Sequence, residues 1–346
     1  MPATTQPTIA FAMGDPAGIS PEIAAKLLSL PEVRSAARIL VFGDRRILDE
    51  GARVAGTSLD VAVAAEPDPA PDPGGRPTLV DLENLAPADV ERGTATLAGG
   101  RFATENFRRA LQAAQAGRAD AVFFTPFNKA AMRMAYPAYD DEIRFINDVL
   151  GEAYPASEFN VLARLWNARV TSHVPLSEVA SRITGDAISR ALRLTHGCMR
   201  AAGFERPRIG VAGLNPHAGD GGNFGREEID VIAPAVERAK RDGIAAEGPY
   251  PSDTVFLRAK GGQFDAVLTM YHDQGQIAMK LIGFDLGVTM LGGYPFPICT
   301  PAHGTAYDIA GQGVANVSAS REAFLLAARM AQQARARGEG ARAAAQ

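Results

Sequence analysis

Three of the five histidines stand beside turns rich in glycine or proline. His173, His217 and His272 occur in "TSHVPL", "GLNPHAGDGG" and "MYHDQG", where buried strands are predicted to end. The carboxyl ends of strands in an open α/β sheet converge on one crevice, so side chains far apart in sequence are expected to meet there. Three neutral imidazoles with an open position suit a catalytic divalent metal. The alternative is structural, with each imidazole capping a turn or satisfying a buried carbonyl group.

Two further ionisable residues follow His272 in "MYHDQGQIAMK", residues 270 to 280. Lys280 is suited to hold an anionic substrate group or to move a proton, and Asp273 to orient His272 or contact the substrate. The structural alternative is a surface ion pair between the two. The loop "GLNPHAGDGGNFGREE" carries enough glycine for its backbone to approach a ligand closely, although an ordinary long loop uses glycine in the same way.

Two glycine-rich segments are candidates for binding a nucleotide. "MGDPAGISPEI" places a turn before a helix N-terminus, which favours anions. In "HGTAYDIAGQGVAN", residues 303 to 316, Asp308 is placed to accept hydrogen bonds from ribose hydroxyls. Neither segment is G-x-G-x-x-G, so the usual Rossmann fingerprint is absent, and the second segment is also compatible with a simple tight loop.

Short apolar runs alternate with longer amphipathic stretches, which is typical of an α/β sheet. The predicted strands cover residues 8–13, 39–43, 121–125, 160–166, 169–174, 208–214, 266–272 and 287–293. The predicted helices cover residues 20–30, 97–117, 140–151, 176–200, 226–242, 252–260 and 319–337. "EPDPAPDPGGRP", residues 66 to 77, is predicted to be an exposed loop or turn.

Composition limits the class of protein. A chain of 346 residues exceeds what one hydrophobic core usually supports, which predicts two lobes. With 47% hydrophobic and 21% charged residues it is typical of globular proteins, and a net charge of -4 argues against nucleic acid and acidic membranes as partners. Two cysteines outside any C-x-x-C spacing favour a reducing cytoplasm. Neither a basic leader nor a run of about twenty apolar residues is present, so we expect no membrane partner.

Five segments together resemble the 4-hydroxythreonine-4-phosphate dehydrogenase family: "GDPAGISPEI", "TSHVPL", "GLNPHAGDGGNFGREE", "MYHDQGQIAMK" and "AHGTAYDIAGQG". The first and last also resemble the wider isocitrate and isopropylmalate dehydrogenase group, whose H-G-[ST]-A-x-D-I-A-G loop binds the adenosine half of NAD. The resemblance implies a two-lobed α/β/α subunit with the active site in the interlobe cleft. Residues 1–130 and 290–346 would form the nucleotide-binding lobe, and residues 131–289 the lobe for metal, substrate and dimerisation. A homodimer with a shared active site is implied as well.

The resemblance also implies a reaction and the residues that serve it. The reaction is NAD-dependent oxidation of a hydroxyl beta to a carboxylate of a small hydroxy acid, followed by loss of carbon dioxide, with NADP left open as the cofactor. His173, His217 and His272 would hold one divalent ion, namely zinc, magnesium, manganese or cobalt. Asp253, Asp273 and Lys280 would act on the substrate. The cofactor would contact Gly304, Ala306, Asp308, Ile309 and Asn316.

The departures from the family pattern fall where the substrate phosphate is expected. In place of G-H-T-E the chain has "PAYDDEIRF", so that Asp140 and Asp141 stand near the expected His-Thr pair. Thr289 occupies the position of a family Asn, and Ile298 that of a family Arg. Losing a forked cation and gaining carboxylates disfavours a phosphate dianion. The alternative is a paralogue acting on an unphosphorylated hydroxy acid or on a carboxylated aromatic cis-dihydrodiol, unless Arg144 replaces the lost cation.

Three rival functions use the same scaffold. A metal-dependent lyase or hydrolase would keep the three histidines but would not reduce NAD. Phosphate acetyltransferases resemble the fold too, although they lack the three-histidine set. A silent binding protein would have no physical need for buried ionisable groups.

Overall fold

The computed structural model describes residues 6–64 and 75–344, so the loop predicted at residues 66 to 77 lies for the most part outside the described residues. Strands and helices alternate through these ranges, which confirms the predicted α/β fold. The strands of the described ranges are β1 (Thr8–Ala12), β2 (Arg38–Gly43), β3 (Ala62–Ala64), β4 (Thr78–Asp81), β5 (Ala121–Phe124), β6 (Ser157–Leu162), β7 (Leu165–Arg169), β8 (Arg208–Ala212), β9 (Ala245–Tyr250), β10 (Ala266–Thr269), β11 (Val288–Gly292) and β12 (Ile298–Pro301).

The helices connect these strands and supply the outer layers. They are α1 (Ser20–Ser29), α2 (Pro31–Ala36), α3 (Arg45–Ala55), α4 (Leu97–Gln115), α5 (Lys129–Ala135), α6 (Glu142–Leu150), α7 (Leu176–Arg182), α8 (Gly185–Ala201), α9 (Ala233–Arg241), α10 (Ser252–Lys260), α11 (His272–Gly283) and α12 (Ser318–Ala344). Over the described ranges, none of these helices combines the length and apolar character that crossing a bilayer requires.

The chain divides into two compact units, of which the first comprises Met1–Ala156 and Tyr294–Gln346. Its strands follow the order β3-β4-β2-β1-β5-β12, and every pair among them is parallel. The central strands β1 and β5 are buried along their whole length. Helices therefore cover both faces of this sheet, which is the arrangement that parallel strands require.

The second unit comprises Ser157–Gly293 and mixes strand directions. Its strands follow the order β11-β6-β7-β10-β8-β9. The pairs β11 with β6 and β6 with β7 are antiparallel, whereas β7, β10, β8 and β9 run parallel to their neighbours. The carboxyl ends of β7, β8 and β10 consequently lie at one edge, and each leads toward one of the three candidate histidines.

The observed boundary between the units differs from the predicted lobes. Residues 131–156 lie in the first unit rather than the second, because α5 and α6 both pack on α4. Aromatic contacts fix this packing, since the rings of Phe107 and Phe145 stack with centroids 5.6 Å apart. The segment 290–293 belongs to the second unit because β11 pairs with β6 along its full length.

Several predicted elements are divided or shorter in the structure. The strand predicted at 160–166 is interrupted by a turn at Ala163, whose φ is +49°, and becomes β6 and β7. The strand predicted at 169–174 was wrong beyond Arg169, which ends β7. The strand predicted at 266–272 ends at Thr269, and His272 begins α11 instead. The helix predicted at 176–200 is two helices, because the Thr184 side chain accepts a hydrogen bond from the Ala187 N–H and starts α8.

Candidate active-site residues

His272 is the first residue of α11 and lies three residues after Thr269, the last residue of β10. Its Nδ1 lies 2.6 Å from Oδ1 of Asp273, so the carboxylate occupies one ring nitrogen. The other nitrogen, Nε2, is the one left for a ligand. A carboxylate bound to one nitrogen of an imidazole fixes the tautomer and the orientation of the ring, which is the usual support of a metal-binding histidine.

Three residues that sequence reasoning missed anchor the first turn of α11. The Met270 N–H donates to Oε1 of Gln274 at 2.7 Å, and Gln274 Nε2 donates to the Gly213 carbonyl at 2.8 Å. Gly275 faces Asn167 so closely that a Cβ there would lie 2.1 Å from the Asn167 side chain. In "HDQGQ", His272 and Asp273 thus face outward, whereas the last three residues fix the helix to the sheet.

The third anchor, Gln276, shares its acceptor with a buried arginine that sequence reasoning also missed. Gln276 Nε2 and Arg169 Nη2 both donate to Oδ1 of Asn160, each at 3.0 Å. Arg169 is 3% exposed and pairs with Glu158 at 3.2 Å, while burial lowers the pKa of its guanidinium. No local pattern distinguishes Arg169 from an exposed arginine at a strand end, because its partners come from other strands.

His173 is brought to His272 by the segment that follows β7. The Val170 N–H donates to the Thr269 carbonyl at 2.9 Å, and Thr171 donates to the Met270 carbonyl through both its N–H and its hydroxyl. The ring centroids of His173 and His272 lie 5.4 Å apart. His173 has a φ of +48°, a conformation that costs about 1–3 kcal/mol outside glycine and is concentrated at functional sites.

His217 lies in a loop with an unusual backbone. Residues 217–221 all have positive φ, and three of them, His217, Ala218 and Asp220, are not glycine. Buried Glu228, which is 2% exposed, holds the base of this loop because the N–H groups of Leu214 and Asn215 donate to its Oε1 at 2.7 Å each. The His217 ring packs near Phe224, with centroids 6.1 Å apart.

Within the described part of the chain, the three candidate histidines are not grouped as a metal centre. Across residues 6–64 and 75–344, no group of three or more His, Cys, Asp or Glu side chains is arranged to hold a metal ion. His173 and His272 are adjacent, whereas His217 is not grouped with them. The three-histidine ligand set therefore stays a prediction. His303, which is outside this set, has its Nδ1 3.1 Å from the Gly304 carbonyl.

The predicted substrate residues of the second unit are placed on three elements. Asp253 is exposed in the first turn of α10, a helix that packs against the His217 loop. Lys280 is exposed in the last turn of α11, seven residues after Asp273 and thus on the same side of the helix. Asp273 pairs with His272, and among the described residues no ion pair joins it to Lys280. Thr289 lies in β11 opposite Asn160.

The carboxylates of Asp140 and Asp141 in the first unit bind groups at the start of helix α6. Asp141 caps α6 by accepting from the Arg144 N–H at 2.9 Å. The Arg144 guanidinium donates to Asp140 at 2.7 Å, and this carboxylate raises the pKa of Arg144. Ile298, at the position of the family arginine, is fully buried in β12. The only cation proposed as a replacement is thus already paired with a carboxylate.

The candidate cofactor residues form one loop between β12 and α12. Ala306 has a φ of +43° and precedes a short 3₁₀ turn at Tyr307–Ile309. Asp308 is exposed, and a side chain at Gly304 would meet open space. This segment therefore has room for a ligand. Ile309 packs beneath, in a cluster with Ile19 and Ile23. Asn316 Oδ1 accepts from the Ser318 N–H at 2.9 Å and so caps α12.

Comparison with known proteins identifies a family that this chain matches. Residues 35–327 match the family model described as "Pyridoxal phosphate biosynthetic protein PdxA". A protein of Rhizobium meliloti (strain 1021), whose name places it among the 4-hydroxythreonine-4-phosphate dehydrogenases, is 65% identical over 332 residues. The match covers 96% of this chain and 95% of that protein.

Two solved structures extend the comparison. The crystal structure of 4-hydroxythreonine-4-phosphate dehydrogenase from Klebsiella pneumoniae is 32% identical with a TM-score of 0.81, covering 94% of this chain and 99% of that one. The terephthalate 1,2-cis-dihydrodiol dehydrogenase from Burkholderia xenovorans LB400 is 29% identical with a TM-score of 0.63, covering 95% and 98%. The fold is therefore shared by proteins named for phosphorylated and for aromatic substrates.

Proposed function

The chain belongs to the PdxA family, and from that premise we propose that it is an oxidoreductase that oxidises a hydroxyl beta to a carboxylate, using NAD and a divalent metal. NAD, when bound, would supply the hydride acceptor, a group of the protein would take the hydroxyl proton, and the resulting β-keto acid would lose carbon dioxide. The observation that carries the proposal is the adjacent pair His173 and His272, with Asp273 holding the far nitrogen of His272.

The proposed ligands of the divalent ion are the three histidines. His272 offers Nε2, His173 lies beside it, and His217 would supply the third nitrogen. When bound there, zinc, magnesium, manganese or cobalt would supply Lewis acidity toward the substrate oxygen. Asp273 fixes the His272 ring, and Lys280 on the same side of α11 is placed to hold an anionic group of the substrate or to carry the proton.

We propose that a second copy of the chain completes this site. The exposed side of α11 and the turn after it is apolar, because Ile277 is 61% exposed, Leu281 84% and Phe284 56%. A contiguous apolar surface of this kind is typical of an interface between subunits. It is continuous with His272, Asp273 and Lys280 along one helix, so a homodimer that covers it would also enclose the site and could bring a partner histidine to it.

The loop 303–316 supports a nicotinamide nucleotide as the oxidant. Asp308 is exposed, and we propose that its carboxylate accepts hydrogen bonds from the ribose hydroxyls. A carboxylate at this position repels a 2′-phosphate, so we propose NAD rather than NADP. We propose a reducing cytoplasm as the compartment, since both Cys198 and Cys299 are free and buried.

The substrate proposal rests on the region where the family arginine is missing. Ile298 is fully buried, and Arg144 is paired with Asp140 beside two further carboxylates, Asp141 and Glu142. A phosphate dianion therefore gains little here. The second candidate, an unphosphorylated hydroxy acid or an aromatic cis-dihydrodiol carboxylate, is favoured by this observation and by the likeness to the Burkholderia xenovorans enzyme.

A substrate panel tests the proposal. The purified protein with manganese or zinc is mixed with NAD and either 4-hydroxythreonine 4-phosphate, its unphosphorylated form, or an aromatic cis-dihydrodiol carboxylate. We expect one NADH and one carbon dioxide per turnover, loss of activity with a chelator, and faster turnover of a substrate without phosphate. Robust turnover of the phosphorylated threonine derivative would contradict the second candidate. Substrate cleavage without NADH would favour a lyase or hydrolase.

A further inference from the structure

The turn after β1 reaches into the candidate nucleotide loop through a buried carboxylate. Asp15, which is 1% exposed, accepts from the Ala17 N–H through Oδ1 at 2.8 Å. Its Oδ2 accepts from the hydroxyl of Tyr307 at 2.5 Å. Burial raises the pKa of Asp15, whereas these two hydrogen bonds act in the opposite direction. Burial and the neighbouring carboxylate also raise the pKa of Tyr307, so its hydroxyl stays protonated as the donor.

Tyr307 stands at the strained centre of that loop. It follows Ala306, whose φ of +43° is unfavourable for any residue but glycine, and it opens the 3₁₀ turn that contains Asp308. Such a conformation persists only where the surroundings hold it. A charge-assisted hydrogen bond from Tyr307 to a buried carboxylate is among the stronger contacts available for that purpose.

The two ends of the loop are held separately. The Ile19 N–H donates to the Thr305 carbonyl at 3.0 Å, and a Cβ on Gly18 would lie 2.5 Å from the same oxygen. At the other end, Lys26 Nζ donates to the carbonyls of residues 313 and 315 at 2.9 and 2.8 Å. The Tyr307 hydroxyl thus adds a polar contact between these two fixed points.

We propose that Tyr307 and Asp15 are a positioning pair that holds this loop in its nucleotide-binding conformation and sets the carboxylate of Asp308 toward the ribose. The inference rests on the proposed function in taking a nicotinamide nucleotide as the ligand of the loop. Neither member of the pair is required to touch the nucleotide. Their contribution is to lower the entropic cost of ordering the loop when the nucleotide binds.

The test compares two tyrosine variants. Tyr307→Phe removes the hydroxyl from Asp15, and Tyr136→Phe removes an analogous hydroxyl that donates to Asp148 outside the loop. Titration with NADH, followed by its fluorescence, should show about tenfold weaker binding for Tyr307→Phe and no change for Tyr136→Phe. In turnover, the KM for NAD should rise with little change in kcat, because the reacting groups are untouched.

Hydrogen exchange gives a readout that needs no cofactor. In the free protein, amides of residues 303–316 should exchange faster in Tyr307→Phe than in the wild type or in Tyr136→Phe. Asp15→Asn, which keeps an acceptor for the phenol, should show a smaller effect, and combining Asp15→Ala with Tyr307→Phe should add little to either change alone. Unchanged NADH affinity and unchanged exchange in Tyr307→Phe would overturn the inference. A wild type that fails to bind NADH would refute the proposed function, while the exchange comparison would still decide the role of Tyr307.

Discussion

The proposed metal site and the proposed nucleotide loop are held by different kinds of contact. The loop of residues 303–316 is fixed within a single unit of one chain, where Asp15 binds Tyr307 and Lys26 binds the carbonyl of residue 313. Each histidine-bearing segment of the second unit is held by its own hydrogen bonds. Among the described residues, however, only His173 and His272 lie side by side. We therefore propose that one chain preorganises the nucleotide contact alone, whereas the metal contact depends on assembly.

The largest effect is expected from a substitution in the proposed metal site. His272→Ala removes the ligand nitrogen and should lower activity by about a thousandfold or more, with loss of bound metal measured by elemental analysis. NADH binding should persist, because the loop 303–316 is unaffected. His196→Ala, in α8, is the matched control and should retain both metal and activity. A His272→Ala protein with full metal content would refute the ligand assignment.

Disruption of the exposed side of α11 tests whether assembly is needed. Leu281→Lys places a charge on a residue that is 84% exposed in the single chain, so the fold should tolerate it while the dimer should not. We expect a monomer by light scattering, with activity reduced by about a hundredfold and NADH still bound. Val63→Lys changes an exposed apolar residue of β3 in the first unit and should leave the dimer intact. A fully active monomer would contradict the shared site.

A smaller effect is expected where a residue only orients a ligand. Asp273→Asn leaves His272 in place but removes the negative charge beside its Nδ1, and should weaken metal binding by about 10- to 100-fold. Competition with a chelator measures the change. Asp230→Asn, which disrupts an exposed pair with Arg226, serves as the control. Equal metal affinity in Asp273→Asn and the wild type would show that the carboxylate has another purpose.

Glu228→Gln tests the strained His217 loop. Two backbone N–H groups that donate to a carboxylate oxygen would face a neutral amide instead, which should cost about 1–3 kcal/mol of stability. Thermal unfolding should report the loss, and metal affinity should fall by about tenfold because His217 is no longer held. NADH affinity should not change. Parallel losses of metal and nucleotide binding would show that the two sides are less separable than the structure indicates.

The smallest effect is expected at Arg144. Its guanidinium is exposed and paired with Asp140, so Arg144→Ala should change the KM of either kind of substrate by less than about twofold. Arg226→Ala removes a comparable exposed pair elsewhere and provides the baseline. A large rise in KM confined to phosphorylated substrates would instead identify Arg144 as the phosphate cation and would restore phosphate recognition.

The sequence predicts the elements better than it predicts their connections. Buried runs such as "TIAFAM" and "ILVFG" are apolar on both faces, so strands near β1 and β2 could be identified from pattern alone. The turn at Ala163 could not, because a left-handed alanine leaves no compositional mark. Likewise His173 was placed in a strand, although β7 ends at Arg169 and hydrogen bonds to the end of β10 direct the chain from there.

In the candidate site, too, the sequence predicts some residues and misses others. The histidine motifs, Asp273 and the 303–316 loop stand out in sequence because their residue types are unusual in apolar surroundings. Gln274 and Glu228 do not, since the first meets Gly213 61 residues away and the second meets Leu214 across a loop of positive φ. Anchors of this kind depend on contacts through space, which neither periodicity nor composition records.

The most direct test of the central claim is X-ray absorption at the zinc edge of the assembled, zinc-loaded protein. Three imidazoles around one ion predict about three nitrogen scatterers at roughly 2.0–2.1 Å, with the multiple-scattering pattern of histidine rings. A coordination sphere with oxygen ligands and no more than one imidazole would contradict the proposed metal site.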